Sequence, residues 1–96
     1  MILEIADIRI QKGRQAEFEA AVQHGIATVI SKSPGFLSAR VEHGIESPER
    51  YVLMIQWATL EDHTVGFRQS EPYQQWKDLL HHFYDPMPTV EHYVDA

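Results

Sequence analysis

The chain has 96 residues, a formal net charge of −6 at pH 7 and no cysteine. This length predicts a single domain, residues 1–96, with a thin core. The negative charge disfavours nucleic acid and anionic membrane surfaces as partners. The lack of cysteine removes disulfides, thiolate metal sites and thiol nucleophiles. Since no apolar run approaches the roughly 18 residues of a membrane span, we expect a soluble, cytoplasmic protein.

The first half of the chain predicts a strand, a helix and a β-hairpin. Residues 2–10 are rich in isoleucine and end at a turn with Gly13, which is typical of a strand. Residues 14–32 carry apolar side chains at helical spacing. Residues 36–46 and 51–58 predict two strands joined by a turn at Pro48. Alternation in the first of these strands predicts that one face carries Leu37, Ala39, Val41, His43 and Ile45.

The second half predicts two short helices and a last strand. Thr59 is the predicted N-cap of the first helix, which places His63 and Phe67 one turn apart on one face. Ser70 is the predicted cap of the second helix, with Pro72 in its first turn. Residues 89–94 predict the final strand. The second helix presents an aromatic and aliphatic stripe made of Tyr73, Trp76, Leu80 and Phe83.

The order strand, helix, strand, strand, helix, strand predicts an α+β fold, the ferredoxin-like βαββαβ arrangement with an antiparallel sheet. Both helices then cover one face of the sheet, and the other, helix-free face should be polar. In residues 51–58, however, Val52 and Met54 alternate with Tyr51, Leu53, Ile55 and Trp57, so both faces are apolar. A second copy of the sheet is the simplest cover, which predicts a homodimer through the helix-free face.

Several short motifs resemble the antibiotic biosynthesis monooxygenase family over essentially the whole chain. They are Lys12-Gly13 followed by Ala16-Glu17-Phe18, then Ser33-Pro34-Gly35-Phe36, then Tyr51-Val52-Leu53, and the stretch from Trp57 to Tyr93. The resemblance implies a dimeric α+β barrel with a cavity between sheet and helices. It also implies cofactor-independent oxygenation of a small electron-rich aromatic, such as a quinol or anthrone, by O2 without metal, flavin or haem.

The side chains near the two short helices in the second half of the chain are of the types that this chemistry requires. His63 is the candidate base, since a histidine titrates near neutral pH. Arg68 is the candidate that stabilises a developing phenolate or peroxide. The candidate substrate-binding residues, aromatic rings and one further histidine, are Phe67, Trp76, Tyr73, His92, Trp57 and Tyr51.

Each candidate also has a structural interpretation. Trp57 and Tyr51 are equally suited to a dimer interface, and Trp76 to a packed core. Arg68 could pair with Glu71 on the surface. The remaining helix histidines, to which we assign no role because their positions look exposed, are His24, His81 and His82.

The sequence also bears on three other functions, namely metal binding, haem degradation and non-catalytic ligand binding. A metal site is disfavoured because no histidine pair has metal-ligand spacing. Haem degradation is disfavoured because the positions of the expected asparagine, tryptophan and axial histidine hold Ala6, Phe67 and Lys77. A non-catalytic dimeric module that binds a small hydrophobic metabolite remains the alternative function.

Overall fold

The computed structural model describes residues 1–96 and has the predicted ferredoxin-like order. One four-stranded antiparallel sheet has the spatial order β2-β3-β1-β4. None of the helices has the length and apolar character needed to cross a membrane. The main elements are β1 (Ile2–Arg9), α1 (Gln15–Thr28), β2 (Phe36–His43), β3 (Arg50–Trp57), a π-helix (Asp62–Phe67), α2 (Glu71–Leu80) and β4 (Thr89–Tyr93), with 3-10 turns at Ile30–Lys32 and His81–Phe83.

Strand β3 runs through the middle of the sheet and divides it into two different faces. Alternate side chains of β3, from Tyr51 to Trp57, are at most 2% exposed and lie under the helices. Ala6 and Ile8 of β1 share that covered face, where they stand opposite Leu53 and Tyr51. In β3 the side chains between them point to the helix-free face and stay half-buried, as do Leu3 and Ile5 of β1, whereas Asp7 of β1 is exposed. The period-two prediction for β3 is therefore confirmed, and β1 shows the same alternation.

The face predicted for β2 is wrong at both ends. A bulge between Phe36 and Ser38 shifts the register, so Leu37 is an extra residue that is 52% exposed. Ile45 lies beyond the end of the strand and is 90% exposed. Alternation along one strand cannot reveal a bulge, because the inserted residue is defined only by its pairing with the neighbouring strand.

The segment after β3 begins as the predicted capped helix and then continues as a π-helix, whose turns are wider than those of an α-helix. The amide of Asp62 donates to Thr59 Oγ1 over 3.2 Å, and the amide of Thr59 donates to Asp62 Oδ2 over 3.1 Å, a reciprocal capping arrangement. The next turn is a π-helix, in which the amide of Arg68 donates to the carbonyl of His63. Single π-turns are rare and concentrate at functional sites. This one turns both His63 and Phe67 into the interior.

Ser70 occupies the N-cap position of α2 but does not cap it with its side chain. Its hydroxyl instead donates to the carbonyl of Phe67 over 2.6 Å. The predicted role of the hydroxyl is therefore wrong, although the predicted helix start is confirmed. The bond satisfies the end of the π-helix and so links the two helical segments that carry the candidate residues.

Gly35 connects β2 to the capped turn at the start of the π-helix. Its φ angle is +84°, and a Cβ at this position would overlap the carboxylate of Asp62. Its carbonyl also accepts a bond from the amide of Ala58. The backbone can therefore approach this closely only because residue 35 has no side chain.

We expect Gly35→Ala to lower the free energy of unfolding by more than Gly13→Ala. Both glycines have φ near +85°, but nothing lies within 4 Å of a Cβ at Gly13. Gly13→Ala should thus cost only the left-handed backbone penalty of about 1–2 kcal/mol. Urea denaturation of both variants measures the difference, and equal losses would show that the approach to Asp62 is not tight.

Candidate active site

A cleft lies between the covered face of the sheet and the π-helix and α2. Its volume is about 430 Å³ when the open mouth is included, but the interior accessible to the centre of a water molecule is only about 60 Å³. Ligand pockets are usually about 300–1,000 Å³, so the interior is tight. Three aromatic rings form much of the wall, Phe67, Tyr73 and Trp76, and the polar groups include Glu4, His63, Arg68 and His81.

Glu4 is a carboxyl on β1 that faces the interior and is only 5% exposed. Its Oε1 accepts a hydrogen bond of 2.9 Å from the indole Nε1 of Trp57 and lies 3.4 Å from Nε2 of His63. Burial raises the pKa of Glu4 from 4.5 to about 6, although the Trp57 bond and the charge of Arg68 oppose the rise. Glu4 is therefore mostly ionised at pH 7 and neutral at pH 5.

His63 is 4% exposed and has a protein partner at each ring nitrogen. Its Nδ1 lies 2.7 Å from Nε2 of His92, and its Nε2 faces Glu4. The ring stacks on Trp57, with centroids 5.3 Å apart and planes at 16°. Burial, followed by the charges of Arg68 and His92, lowers the pKa of His63 to about 3, so the ring is neutral at pH 7.

The ionised carboxylate of Glu4 favours one tautomer of each histidine. A carboxylate only accepts hydrogen bonds, so the negative charge of Glu4, 3.4 Å from Nε2, favours the tautomer of His63 that carries its proton on Nε2. Nδ1 of His63 then accepts from Nε2 of His92. Burial and the charge of Arg68 lower the pKa of His92, which favours its neutral form. The three side chains thus form one row of polar contacts, with a hydrogen bond between the two histidines and a 3.4 Å electrostatic contact between His63 and Glu4.

Arg68 follows the π-helix and lines the cleft from its exposed side. Its side chain forms no salt bridge, and the expected pair with Glu71 is absent. Its charge nevertheless affects the pKa values of Glu4, His63 and His92. The guanidinium is therefore close to the buried polar groups and retains donors for an anionic ligand.

The aromatic wall is built by edge-to-face contacts. The ring of Phe67 lies 6.0 Å from that of Trp76 and 5.4 Å from that of Tyr73, at angles of 81° and 73°. Trp76 also packs on α1, where a Cβ on Gly25 would come within 3.1 Å of its ring. Trp76 is therefore both a core residue and a wall of the cleft, and its two interpretations from the sequence do not exclude each other.

Trp57 and Tyr51 occupy very different places although they share one strand face. Trp57 lies behind the cleft, where it supports Glu4 and His63 without lining the space. Tyr51 is six residues along β3, a distance of about 20 Å. There its hydroxyl donates to Glu19 over 2.5 Å and its ring stacks on His43. Both face the helices, so the alternative that they pack at the helix-free face is wrong.

The sequence analysis missed Glu4, His81 and Tyr84, which all line the cleft. His81, expected to be exposed, is half-buried. A signal for Glu4 was present, because it shares the period-two face of Ala6 and Ile8. No comparable signal exists for Tyr84, which follows the last helical turn.

No three His, Asp or Glu side chains converge as metal ligands would. Glu4, His63 and His92 are close together, but His63 lies between the other two and uses opposite nitrogens to reach them. The donors therefore lie in a row, whereas a metal requires them to point at one centre.

The fold and the cleft define a class: a small ferredoxin-like α+β protein with a carboxyl, a histidine and an arginine at one aromatic pocket. The sequence profile described as antibiotic biosynthesis monooxygenase matches residues 1–79. The uncharacterised protein YczJ of Bacillus subtilis is 45% identical over 96 residues, all of both chains. The chain therefore belongs to the antibiotic biosynthesis monooxygenase family.

Solved structures agree with this assignment. A Bordetella bronchiseptica protein provisionally named an antibiotic biosynthesis monooxygenase superimposes with a TM-score of 0.93 at 36% identity, covering 99% of this chain and 96% of the other. A similarly named Nitrosomonas europaea protein has a TM-score of 0.81 at 18% identity, with 99% and 98% coverage, and supports the fold alone. His92 and Tyr84 lie beyond the residues matched by the family profile.

We expect His63→Gln to weaken the acid sensitivity of the fold. Because the pKa of His63 is lower in the folded protein than in the unfolded chain, unfolding takes up a proton at acid pH. The stabilisation is complete above pH 6.5 and decreases as the pH falls toward 3. Between pH 7 and pH 4 the wild type should lose about 3 kcal/mol more than the variant, as measured by urea denaturation.

Glu4 acts in the opposite direction and does not hide this difference. Its pKa is raised, so its contribution is complete below pH 4.5 and is lost as the pH rises through about 6. His24→Gln, which alters an exposed histidine, is the control and should follow the wild type. Parallel curves for wild type and His63→Gln would contradict the assignment of a neutral, buried His63.

Proposed function

We propose that this protein is a cofactor-independent monooxygenase that oxidises a small electron-rich aromatic, such as a quinol or an anthrone, with O2. The observation that carries the proposal is the meeting of an acid–base pair, Glu4 and His63, with the unpaired guanidinium of Arg68 at one aromatic-walled cleft. Membership of the antibiotic biosynthesis monooxygenase family supports the same chemistry. The cysteine-free sequence favours a cytoplasmic setting as part of this proposal.

The protein's part in the reaction is to make and protect a carbanion or phenolate. The acid–base pair removes a proton from an acidic C–H or O–H bond, and the electron pair stays on the substrate. Arg68 stabilises the negative charge by charge-assisted hydrogen bonds. Phe67, Tyr73 and Trp76 hold the planar ring and exclude water.

The oxygen balance needs no external reductant. For an activated methylene, the carbanion adds O2 and takes back one proton to give a hydroperoxide. Loss of the second C–H proton and departure of hydroxide then give a carbonyl and water. The substrate carbon is oxidised, one oxygen atom is incorporated and the other is reduced to water, so CH2 and O2 become C=O and H2O.

The small free volume limits the substrate and also supports a second candidate. The open interior of about 60 Å³ is smaller than the cavity of about 150 Å³ that holds a benzene ring in another protein, so a substrate ring lies partly in the mouth or displaces the aromatic wall. The same tightness favours a non-catalytic module that binds a small hydrophobic metabolite. Enzyme and module differ in one respect, because only the enzyme has side chains whose loss abolishes turnover and leaves binding intact.

The homodimer through the helix-free face belongs to the same proposal. Leu3, Ile5, Val52 and Met54 are half-buried on that face, with no helix above them. Because a row of apolar side chains on one face of an antiparallel sheet is unfavourable in water, we expect another protein surface to pack on it. The ion pair of Asp7 and Arg50, with an N–O distance of 2.8 Å, stands on this face and offers polar contacts to a second copy.

We expect chelator-treated protein to consume oxygen with members of a panel of hydroquinones and anthrones, faster than the uncatalysed reaction. Arg68→Gln should lower kcat/KM by about 100-fold, since one anion-stabilising donor is worth that much. His63→Ala should also lower the rate sharply. An oxygen electrode measures uptake, and thermal shift measures ligand binding.

Lys12→Gln is the matched control, because it removes one positive charge from an exposed turn away from the cleft. It should retain the wild-type rate. Absence of uptake by the wild type across the panel, with ligand binding intact, would overturn the oxygenase and leave the binding module. A wild-type rate in Arg68→Gln would remove the role proposed for the guanidinium.

We expect Val52→Glu to convert a dimer to a monomer in size-exclusion chromatography with light scattering. The new carboxylate would be buried without a partner at the helix-free face, which is costly. Ile45→Glu places the same charge at a side chain that is 90% exposed outside the sheet and should leave the dimer intact. A monomeric wild type, or equal effects of the two variants, would refute the proposed interface.

A further inference from the structure

We propose that Glu4, rather than His63, accepts the substrate proton, and that His63 is a positioning residue that holds the carboxylate in place. The inference rests on the proposed function and specifies its acid–base group. It follows from which atoms of the buried pair have protein partners and which remain available to a ligand.

Each nitrogen of His63 faces a protein side chain, although only Nδ1 makes a hydrogen bond. Nδ1 is 2.7 Å from His92, and Nε2 is directed to Glu4 at 3.4 Å. One face of its ring is covered by Trp57. A general base must come within about 2.6–3.2 Å of the proton that it removes. His63 would have to break one of these contacts first.

Glu4 has a free oxygen at the cleft. Both of its protein partners, Trp57 and His63, approach the same atom, Oε1. Oε2 forms no hydrogen bond with the protein, yet it is not among buried atoms left without a partner, and Glu4 lines the cleft. The two donors on Oε1 thus orient the carboxylate so that Oε2 is available to a proton donor in the cleft.

The titratable and charged groups around Glu4 are consistent with this role. They are His63 on the π-helix, Arg68 after it, His92 on β4, and the cleft-lining Tyr73, His81 and Tyr84 from α2 and the turn that follows it. Burial, then Tyr73 and Glu4, raises the pKa of Tyr84, so this phenol stays neutral. At neutral pH Glu4 is therefore the one anionic acceptor among them.

The charge balance of the cleft also indicates the class of substrate. Before the reaction the cleft holds a carboxylate and the guanidinium of Arg68. When a neutral phenol or enolisable ketone gives its proton to Oε2, its O–H or C–H bond breaks and its electron pair stays on the substrate. Glu4 becomes neutral and the substrate anion faces Arg68, so the net charge does not change. A substrate that enters as an anion would instead meet the carboxylate with repulsion.

Glu4 then returns this proton to the peroxide anion, which gives the hydroperoxide. It next takes the second C–H proton and passes it to the departing hydroxide, which leaves as water. The same group serves as base and acid within one turnover. The pKa of Glu4, about 6, is close to working pH and suits both steps, whereas His63, with a pKa near 3, is a weak acceptor at neutral pH.

The wild type alone tests this inference through its pH profile. With Glu4 as acceptor, kcat/KM should decrease tenfold per pH unit below about pH 6, because the carboxylate becomes protonated. With His63 as acceptor, the rate would stay constant down to about pH 4. A profile that is flat between pH 7 and pH 4.5 overturns the proposal without any variant.

Glu4→Gln is the matched variant, since it keeps an oxygen for Trp57 and removes only the proton acceptor. We expect kcat/KM to fall at least about 100-fold and the acid limb to disappear. Glu4→Asp keeps the charge and should retain the limb at a reduced rate. His63→Gln should lower the rate but also retain the limb, because positioning and not proton transfer is lost. Wild-type kcat in Glu4→Gln overturns the assignment.

A second readout does not need turnover. Nitrophenol changes its absorbance on ionisation, so its spectrum reports the ionisation of the bound phenol at pH 7. Both proteins should bind the phenolate beside Arg68, but the wild type keeps the phenol proton on Glu4, so Glu4→Gln should release about one more proton per bound phenol to the buffer, as measured with a pH indicator. Equal proton release by the two proteins overturns the inference.

The two readouts separate the failure of the inference from that of the function. Retention of the phenol proton by Glu4, without oxygen uptake by any substrate, keeps Glu4 as acceptor and removes the oxygenase. Oxygen uptake that is unchanged in Glu4→Gln does the reverse. A wild type that neither binds the phenol nor consumes oxygen overturns both.

Discussion

The buried carboxylate of Glu4 is the interaction on which the candidate site depends. It joins β1 to β3 through the indole of Trp57 and to the π-helix through His63. Since an ionised carboxylate can only accept hydrogen bonds, it also favours one tautomer of His63 and, through it, of His92 on β4. One acidic side chain on β1 thereby orients groups from three other elements. The stack of His63 on Trp57 then closes the back of the cleft.

The burial of Glu4 lowers the stability of the fold but gives the candidate site an acid–base group. At neutral pH the ionised Glu4 is disfavoured by burial, a cost of about 2 kcal/mol for a pKa raised to about 6. An apolar residue would avoid that cost, and natural proteins accept such costs mainly at functional sites. The unpaired guanidinium of Arg68 is the complementary feature, because it reduces the penalty and remains open to a ligand. The π-turn, which carries His63 and leads directly to Arg68, places both on the same side of the cleft.

The helix-free face raises a separate question of stability. Only 18 of 96 residues are buried in the single chain, so the covered side of the sheet supplies a small core. Val52 and Met54 on the other face are half-buried, and a second copy of the sheet packed on them would enlarge the core. The cleft is complete within one chain, whereas the proposed dimer would act on the opposite face of the same strands. Any coupling between the cleft and the dimer interface would pass through β1 and β3, because both strands contribute side chains to each of the two sites.

The sequence by itself determined the order of the elements, the two faces of β3, the capped turn at Thr59 and Asp62, and the shared helix faces of His63 with Phe67 and of Tyr73 with Trp76. These features are local, since strand and helix periods decide which way neighbouring side chains point. Only the tertiary structure decided that Leu37 falls at a bulge, that Tyr51 lies about 20 Å along β3 from Trp57, and that Glu4 is paired with both Trp57 and His63. Periodicity gives the face of a strand but not the register with its neighbour or the strand residue over which a helix passes. Those depend on contacts between residues distant in sequence, and the polar partners of a buried carboxyl are contacts of that kind.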